Sequence, residues 1–122
     1  MVLRMAKPTT PKGIYNLLKK KYFAPLFPET VWPQWHEITF RWVIQGGEGE
    51  FMDARHDLGT VMETKEGWVI EIIEGIRDFP VLIEFILAHE MLHMTAGPEH
   101  GSKAWNAGYR KLVGANFFWR IF

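Results

Sequence analysis

The feature that most constrains this chain is a pair of histidines four residues apart within an apolar segment of helical length. Residues 83–93 contain His89, Glu90 and His93 among side chains that are mostly apolar. In an α-helix, residues i and i+4 lie on one face about 6 Å apart, so both imidazoles can bind one metal ion. Glu90 projects about 100° away from His89 around the helix, which suits a base acting on water better than a ligand. We therefore predict a metal site on this helix, with Glu90 as the catalytic base.

The surroundings of these three residues favour the same interpretation. A helix that is apolar nearly all round is a buried one, so His89, Glu90 and His93 are expected in a setting with little water. Polar groups without partners are costly there. Coordination of a metal ion by these side chains would offset the cost of burying them.

A zinc site that keeps one position open for water needs a third protein ligand. His100 is the preferred candidate, although an unbroken helix would separate it from His93 by about 10 Å along the axis. Gly97 and Pro98 interrupt the helix between them, since glycine is common just after a helix end and proline suits the first turn of the next helix. Glu99 remains the alternative third ligand, because a carboxylate can also complete such a site.

These residues also resemble a known family, the SprT-like zinc metallopeptidases. The resemblance extends from about residue 53 to residue 113, and it is most specific between His89 and Trp105. The segment from His93 to His100 is shorter than in many members, which keeps Glu99 open as a ligand. The nearest alternative resemblance is to minimal gluzincin-like small zincins, which use a glutamate as third ligand. The matching segments are residues 70–72, Pro80, residues 86–93, residues 100–101 and Trp105.

The resemblance implies a zinc-dependent endopeptidase that binds one Zn²⁺ per chain through His89, His93 and His100. Peptides or unfolded proteins are the implied substrates, and a nucleic-acid partner is suggested only by analogy with the family. The residues leave open a second function, a zinc-stabilised binding or regulatory module that is non-catalytic or self-inhibited. Tyr109, on the predicted last helix, is a candidate to stabilise an oxyanion because a phenol near the metal can donate a hydrogen bond. His36 and His56 are assigned no role in the site, since histidines in loops and at strand ends are usually solvated.

Composition limits the remaining classes of function. The 122 residues are enough for a single domain spanning residues 1–122, and 48% of them are hydrophobic. The 14 basic and 14 acidic residues balance, so no overall field favours nucleic acid or an anionic membrane. There is no cysteine, which excludes disulfides and cysteine-based zinc sites. No apolar run reaches the ~18 residues of a membrane span and no signal peptide is recognisable, so a cytoplasmic protein is expected.

Periodicity and turn residues predict an α+β fold. We expect a small, mostly antiparallel sheet of three or four strands, packed on an N-terminal helix, the central helix and a C-terminal helix. Residues 1–10 are expected to be a loose tail. The apolar residues 115–122 are expected to dock, either by completing the sheet or core, by lying across the cleft as an inhibitory plug, or by meeting a second subunit. The predicted strands are residues 37–45, 51–55, 60–64 and 68–73, and the predicted helices are residues 11–23 with Thr10 as N-cap, 80–95 with Asp78 as cap, and 98–113.

Overall fold

The computed structural model describes residues 7–117 and has the predicted α+β fold. Residues 1–6 of the predicted N-terminal tail and residues 118–122 of the apolar C-terminal segment lie outside the described residues. No helix within residues 7–117 is long and apolar enough to cross a membrane. The main elements are α1 (Pro11–Leu18), α2 (Ala24–Leu26), β1 (Thr39–Val43), β2 (Gly59–Thr64), β3 (Gly67–Ile73), α3 (Pro80–Ala96) and α4 (Lys103–Gly114).

The N-terminal helix starts where the sequence predicts it. Thr10 is the N-cap, and its side-chain oxygen accepts a hydrogen bond from the Gly13 amide at 3.2 Å. After α1 the chain continues as a π-helical segment, Lys19–Phe23, before α2. This wider turn was not predicted, and both Tyr22 and Phe23 at its end are buried in the core.

The sheet has three strands in the order β1-β3-β2 and is mixed. β2 and β3 form the expected antiparallel hairpin, but β1 runs parallel to β3, with Phe40 opposite Ile70. The expectation of a mostly antiparallel sheet was therefore wrong for one of the two pairings. The reason is the long connection between β1 and β2, which lets β2 pair on the far side of β3. Strand β3 is consequently the central one, and its last five residues, 69–73, are all buried.

The predicted strand at residues 51–55 is also wrong, because these residues form a loop. The amides of Glu50, Phe51 and Met52 donate to the carboxylate of Glu71 at 2.7–3.0 Å instead of pairing with another strand. Glu71 itself is fully buried on β3. Met52 and Ala54 pack in a small apolar cluster with Val43, so these two residues are buried without a strand.

Helix α3 lies at the centre of the molecule and packs against α1, α4 and β2. Ile83, Leu87 and Met91 are fully buried, as its apolar composition predicts. Its N-cap is Phe79 and not the predicted Asp78, because Pro80 occupies the start of the helix and moves the cap position one residue on.

Helix α4 begins at Lys103, five residues later than predicted. Gly97 and Gly101 have φ angles of +88° and +75°, so the chain between the two helices forms turns. Ser102 then caps α4, since its hydroxyl accepts a hydrogen bond from the Trp105 amide at 3.1 Å. Past α4, Phe117 is buried with its ring centroid 4.9 Å from that of Tyr22, so the start of the apolar C-terminal segment docks on the core.

Candidate metal centre

Three histidines converge at the C-terminal end of α3. His89 and His93 come from one face of that helix, and the turn before α4 carries His100 back towards them. The Nε2 atom of His100 lies 3.1 Å from that of His89 and 2.9 Å from that of His93. One potential ligand atom from each residue falls within 4.8 Å of the other two. This set of three imidazole nitrogens can hold a metal ion.

The spacing fits a small first-row ion such as zinc. Two nitrogens bound to one zinc ion at ~2.0–2.1 Å with tetrahedral angles lie roughly 3.3–3.4 Å apart. The observed separations from His100 are within about half an ångström of that value. Small rotations of the imidazole rings would therefore be enough to accommodate the ion.

The end of α3 also orients one of the rings. The Nδ1 atom of His93 lies 2.9 Å from the carbonyl oxygen of Gly97, and the Gly97 amide donates to the His93 carbonyl at 3.0 Å. When Nδ1 carries the proton and donates it to this carbonyl, the Nε2 atom keeps its lone pair for a metal. Gly97 thus both ends the helix and favours the tautomer of His93 whose Nε2 atom is free to bind a metal.

Trp105, in the first turn of α4, supports all three rings from one side. Its ring centroid lies 5.1 Å from that of His89, 4.5 Å from that of His93 and 4.8 Å from that of His100. A bulky apolar neighbour at this distance restricts the motion of the imidazoles and excludes water from one side of the site.

The local electrostatics favour neutral imidazoles. Partial burial and, to a lesser extent, the neighbouring His93 and His100 together lower the pKa of His89 to about 4. Burial and His100 likewise lower the pKa of His93, against the opposing effect of the Gly97 carbonyl. Neutral imidazole is the form that binds metal ions, so little proton competition is expected near neutral pH.

Glu90 is buried beside this cluster, with only 3% of its surface exposed. Its Oε2 atom has no hydrogen-bond partner among the described residues. Burial raises the pKa of Glu90 to about 7, and the negative charge of Asp57 contributes in the same direction. A cation held by the histidines would favour the carboxylate form of Glu90. A metal ion would thus supply the positive charge that this buried carboxylate needs as a partner.

The histidines and Glu90 face an open cleft of about 1040 Å³. Strand β2 forms one wall, α3 forms the floor, and the turn that carries His100 closes one end. The close approach of β2 to α3 depends on Gly59, since a Cβ atom there would lie 2.6 Å from Cγ2 of Ile86 and 3.6 Å from Cγ of Glu90. Because β2 is an edge strand of the described sheet, its outer side is open to a further extended chain.

The structure separates the two candidates for the third ligand. His100 joins His89 and His93, whereas Glu99 is exposed and belongs neither to the histidine cluster nor to the lining of the cleft. Tyr109 is 47% exposed and lies in a smaller pocket beside His89 and His100, outside the cleft that contains Glu90.

Two residues of the cleft were missed from the sequence. His56 and Asp57, in the loop before β2, line the cleft together with Glu90. No local pattern marks them, because the route of the loop at residues 44–58 is set by its contacts with the buried Glu71. The nearest feature in the sequence is the Asp57-Leu58-Gly59 segment, which leads into the edge strand β2 but does not by itself place His56 or Asp57 in the cleft.

No protein-family model, curated protein or solved structure matches this chain.

Proposed function

We propose that the protein is a zinc-dependent peptidase of the SprT-like type that hydrolyses peptide bonds in peptides or unfolded proteins. The observation that carries this proposal is the joint placement of three metal-binding histidines and a buried, unpartnered Glu90 at one open cleft. A metal ligand set without a buried carboxylate beside it would suggest storage or structure. The combination suggests hydrolysis.

The donor set favours a catalytic site over a structural one. Structural zinc sites are closed by four protein ligands, whereas catalytic sites use three and keep a position open. The described residues supply three histidine nitrogens, of which those of His89 and His100 belong to exposed residues. Imidazole is a preferred ligand of zinc, and zinc supplies a Lewis acid that activates water and polarises a carbonyl oxygen.

In this mechanism Glu90 is the group that moves the proton. Its carboxylate accepts a proton from the attacking water and then donates that proton to the leaving amine. Burial raises the pKa of Glu90, and a cation held by the histidines would favour the carboxylate form, which is the form that accepts the proton. The adjacent histidines keep the reacting atoms close to this carboxylate, because residues 89, 90 and 93 share one rigid helix.

The substrate is proposed to bind as an extended strand along β2. The outer side of β2 borders the cleft through residues 59–63, and main-chain pairing with it would place a peptide across the histidines. Such pairing uses groups that every peptide has, so it suits substrates that are unfolded.

The decisive experiment compares wild-type protein with Glu90→Gln on denatured casein, with zinc content measured for both. We expect about one zinc per chain in each protein and a loss of cleavage on the order of 100-fold or more in the variant. Equal cleavage rates would remove Glu90 from the mechanism. A wild-type protein that holds zinc but cleaves no unfolded substrate would support the alternative of a zinc-stabilised, non-catalytic module.

A further inference from the structure

A second, smaller pocket lies between α3 and α4. We call it the α3–α4 pocket, and its volume is about 330 Å³, near the lower end of the range for small-ligand sites. It is lined by Phe85, Ala88, His89, Leu92, His100, Trp105, Tyr109, Leu112 and Phe117.

This pocket shares a wall with the main cleft. Phe85, His89 and His100 line both cavities, and Phe85 is 41% exposed between them. Two of the three metal-binding histidines therefore separate the cleft from the pocket. A molecule held at the histidines is within reach of the pocket without further movement of the chain.

The chemistry of the two cavities differs. The main cleft contains the carboxylates of Asp57, Glu63 and Glu90. No aspartate, glutamate, lysine or arginine is among the residues that line the α3–α4 pocket within the described part of the chain. A charged group entering it would lose its hydration without gaining an aspartate, glutamate, lysine or arginine partner among the described residues, whereas a large apolar group would lose contact with water at no such cost.

We propose that the α3–α4 pocket binds one large uncharged side chain of the substrate, from the residue next to the bond that is cut. It would thereby give the enzyme a preference for phenylalanine, leucine or methionine at that position. This inference rests on the proposed peptidase function and adds sequence preference to a backbone-binding cleft. Tyr109 then lines the specificity pocket, and its role as an oxyanion stabiliser stays a prediction.

The selectivity of the pocket can be tested in metal-free protein, without any catalysis. The probes are 3-phenylpropionamide, propionamide, 3-aminopropionamide and succinamate, titrated while the methyl NMR signals of Leu92 and Leu112 are followed. We expect 3-phenylpropionamide to bind at least tenfold more tightly than propionamide and to shift both methyl signals. Neither charged probe should bind more tightly than propionamide. Equal affinities, or shifts that leave Leu92 and Leu112 unchanged, would overturn the proposal.

Variants test whether the phenyl probe binds in the α3–α4 pocket. Ala88→Leu adds volume inside the pocket, so it should reduce the tenfold advantage of the phenyl probe to less than twofold. Phe85→Ala removes part of the shared wall and should weaken binding of the phenyl probe several-fold. Leu82→Ala is the matched control, because Leu82 lies on the same helix, is 45% exposed and lines neither cavity. If Leu82→Ala weakens binding as much as Phe85→Ala, the phenyl group binds elsewhere on α3 and the proposal fails.

Zinc-loaded protein separates this inference from the function on which it rests. 3-Phenylpropanohydroxamic acid and acetohydroxamic acid both chelate zinc, and we expect the first to bind at least tenfold more tightly. If neither hydroxamic acid binds while the amide probes still discriminate, the pocket stands and the metal function fails. If both bind equally, the metal function stands and the pocket proposal fails.

A tenfold gain in affinity for 3-phenylpropionamide in the full-length Phe118→Ser, Trp119→Ser variant would identify the chain's own end as the occupant and overturn the proposal.

Discussion

Gly59 on β2 faces Ile86 on α3 so closely that a Cβ atom at position 59 would lie 2.6 Å from the Ile86 Cγ2 atom. The same Cβ would lie 3.6 Å from Cγ of Glu90. The edge strand can therefore cross the central helix beside Glu90 only because residue 59 has no side chain.

We predict that Gly59→Ala lowers the free energy of unfolding by about 1–3 kcal/mol, the usual cost of overpacking. It should also reduce cleavage, because strand and helix must move apart at Glu90. Gly114→Ala is the control, since no atom lies within 4 Å of a Cβ at that position and the change should be neutral or slightly stabilising. Urea denaturation measures the free energy of unfolding of both variants. Equal stabilities for Gly59→Ala and Gly114→Ala would contradict the close contact.

We predict that His100→Ala loses zinc whereas Glu99→Ala keeps it. Only His100 places a nitrogen about 3 Å from the other two histidine nitrogens, so its loss should weaken zinc binding by roughly 100-fold or more. Metal content after dialysis against a weak chelator measures the difference. Retention of zinc by His100→Ala and its loss from Glu99→Ala would assign the third ligand to the carboxylate.

The pH dependence of stability should reveal the raised pKa of Glu90 in metal-free protein. Its pKa is about 7 in the folded chain against an ordinary value of 4.5, so the folded state binds an additional proton between these values. The contribution of Glu90 to stability is thus greatest at low pH and is lost as the pH rises through 7. Glu90→Gln removes this effect, so the variant should gain stability relative to wild type between about pH 4.5 and 7.5, on the order of 2 kcal/mol.

His89 changes stability in the opposite direction, because its lowered pKa makes its contribution disappear as the pH falls from ~6.5 through 4. That effect is present in both proteins and cancels in their difference. Urea midpoints measured at several pH values give the comparison. Parallel curves for wild type and Glu90→Gln would show that Glu90 titrates normally.

The buried Glu71 should be essential for the loop at residues 44–58. Glu71→Gln replaces an acceptor of three backbone amides by a group that also carries donors, so we predict a loss of about 2–4 kcal/mol. Glu50→Gln is the control, since Glu50 is half-exposed and pairs with Arg41 only at the surface, where the expected loss is under about 1 kcal/mol. Hydrogen exchange of the amides of residues 50–52 should accelerate in the first variant only.

The parts of the fold that were predicted correctly depend on local patterns. Capping by Thr10, the apolar composition of α3 and the hairpin between β2 and β3 each involve residues close in sequence. The convergence of His89, His93 and His100 is local too, because one glycine ends the helix and the next turn returns the chain. Short-range geometry was therefore enough to predict that these three histidines lie together.

The parts that were missed depend on contacts between distant residues. The parallel pairing of β1 with β3 follows from the long connection between β1 and β2. The loop at residues 51–55 follows from the buried Glu71, which accepts backbone amides that a strand would otherwise use. The position of His56 in the cleft depends on that loop, and the place of Tyr109 in the α3–α4 pocket depends on how α4 packs on α3. None of these contacts leaves a periodic pattern in the sequence.

The packing of Trp105 against all three imidazoles has a practical consequence for anyone who handles this protein. The Trp105 ring lies about 5 Å from each histidine ring. Its fluorescence should therefore change when those rings bind an ion or a proton. The difference in fluorescence between the natural chain and a Trp105→Phe chain isolates that signal from the other tryptophans. A metal ion held by these histidines would therefore be reported by the fluorescence of Trp105 itself, with no dye or label required.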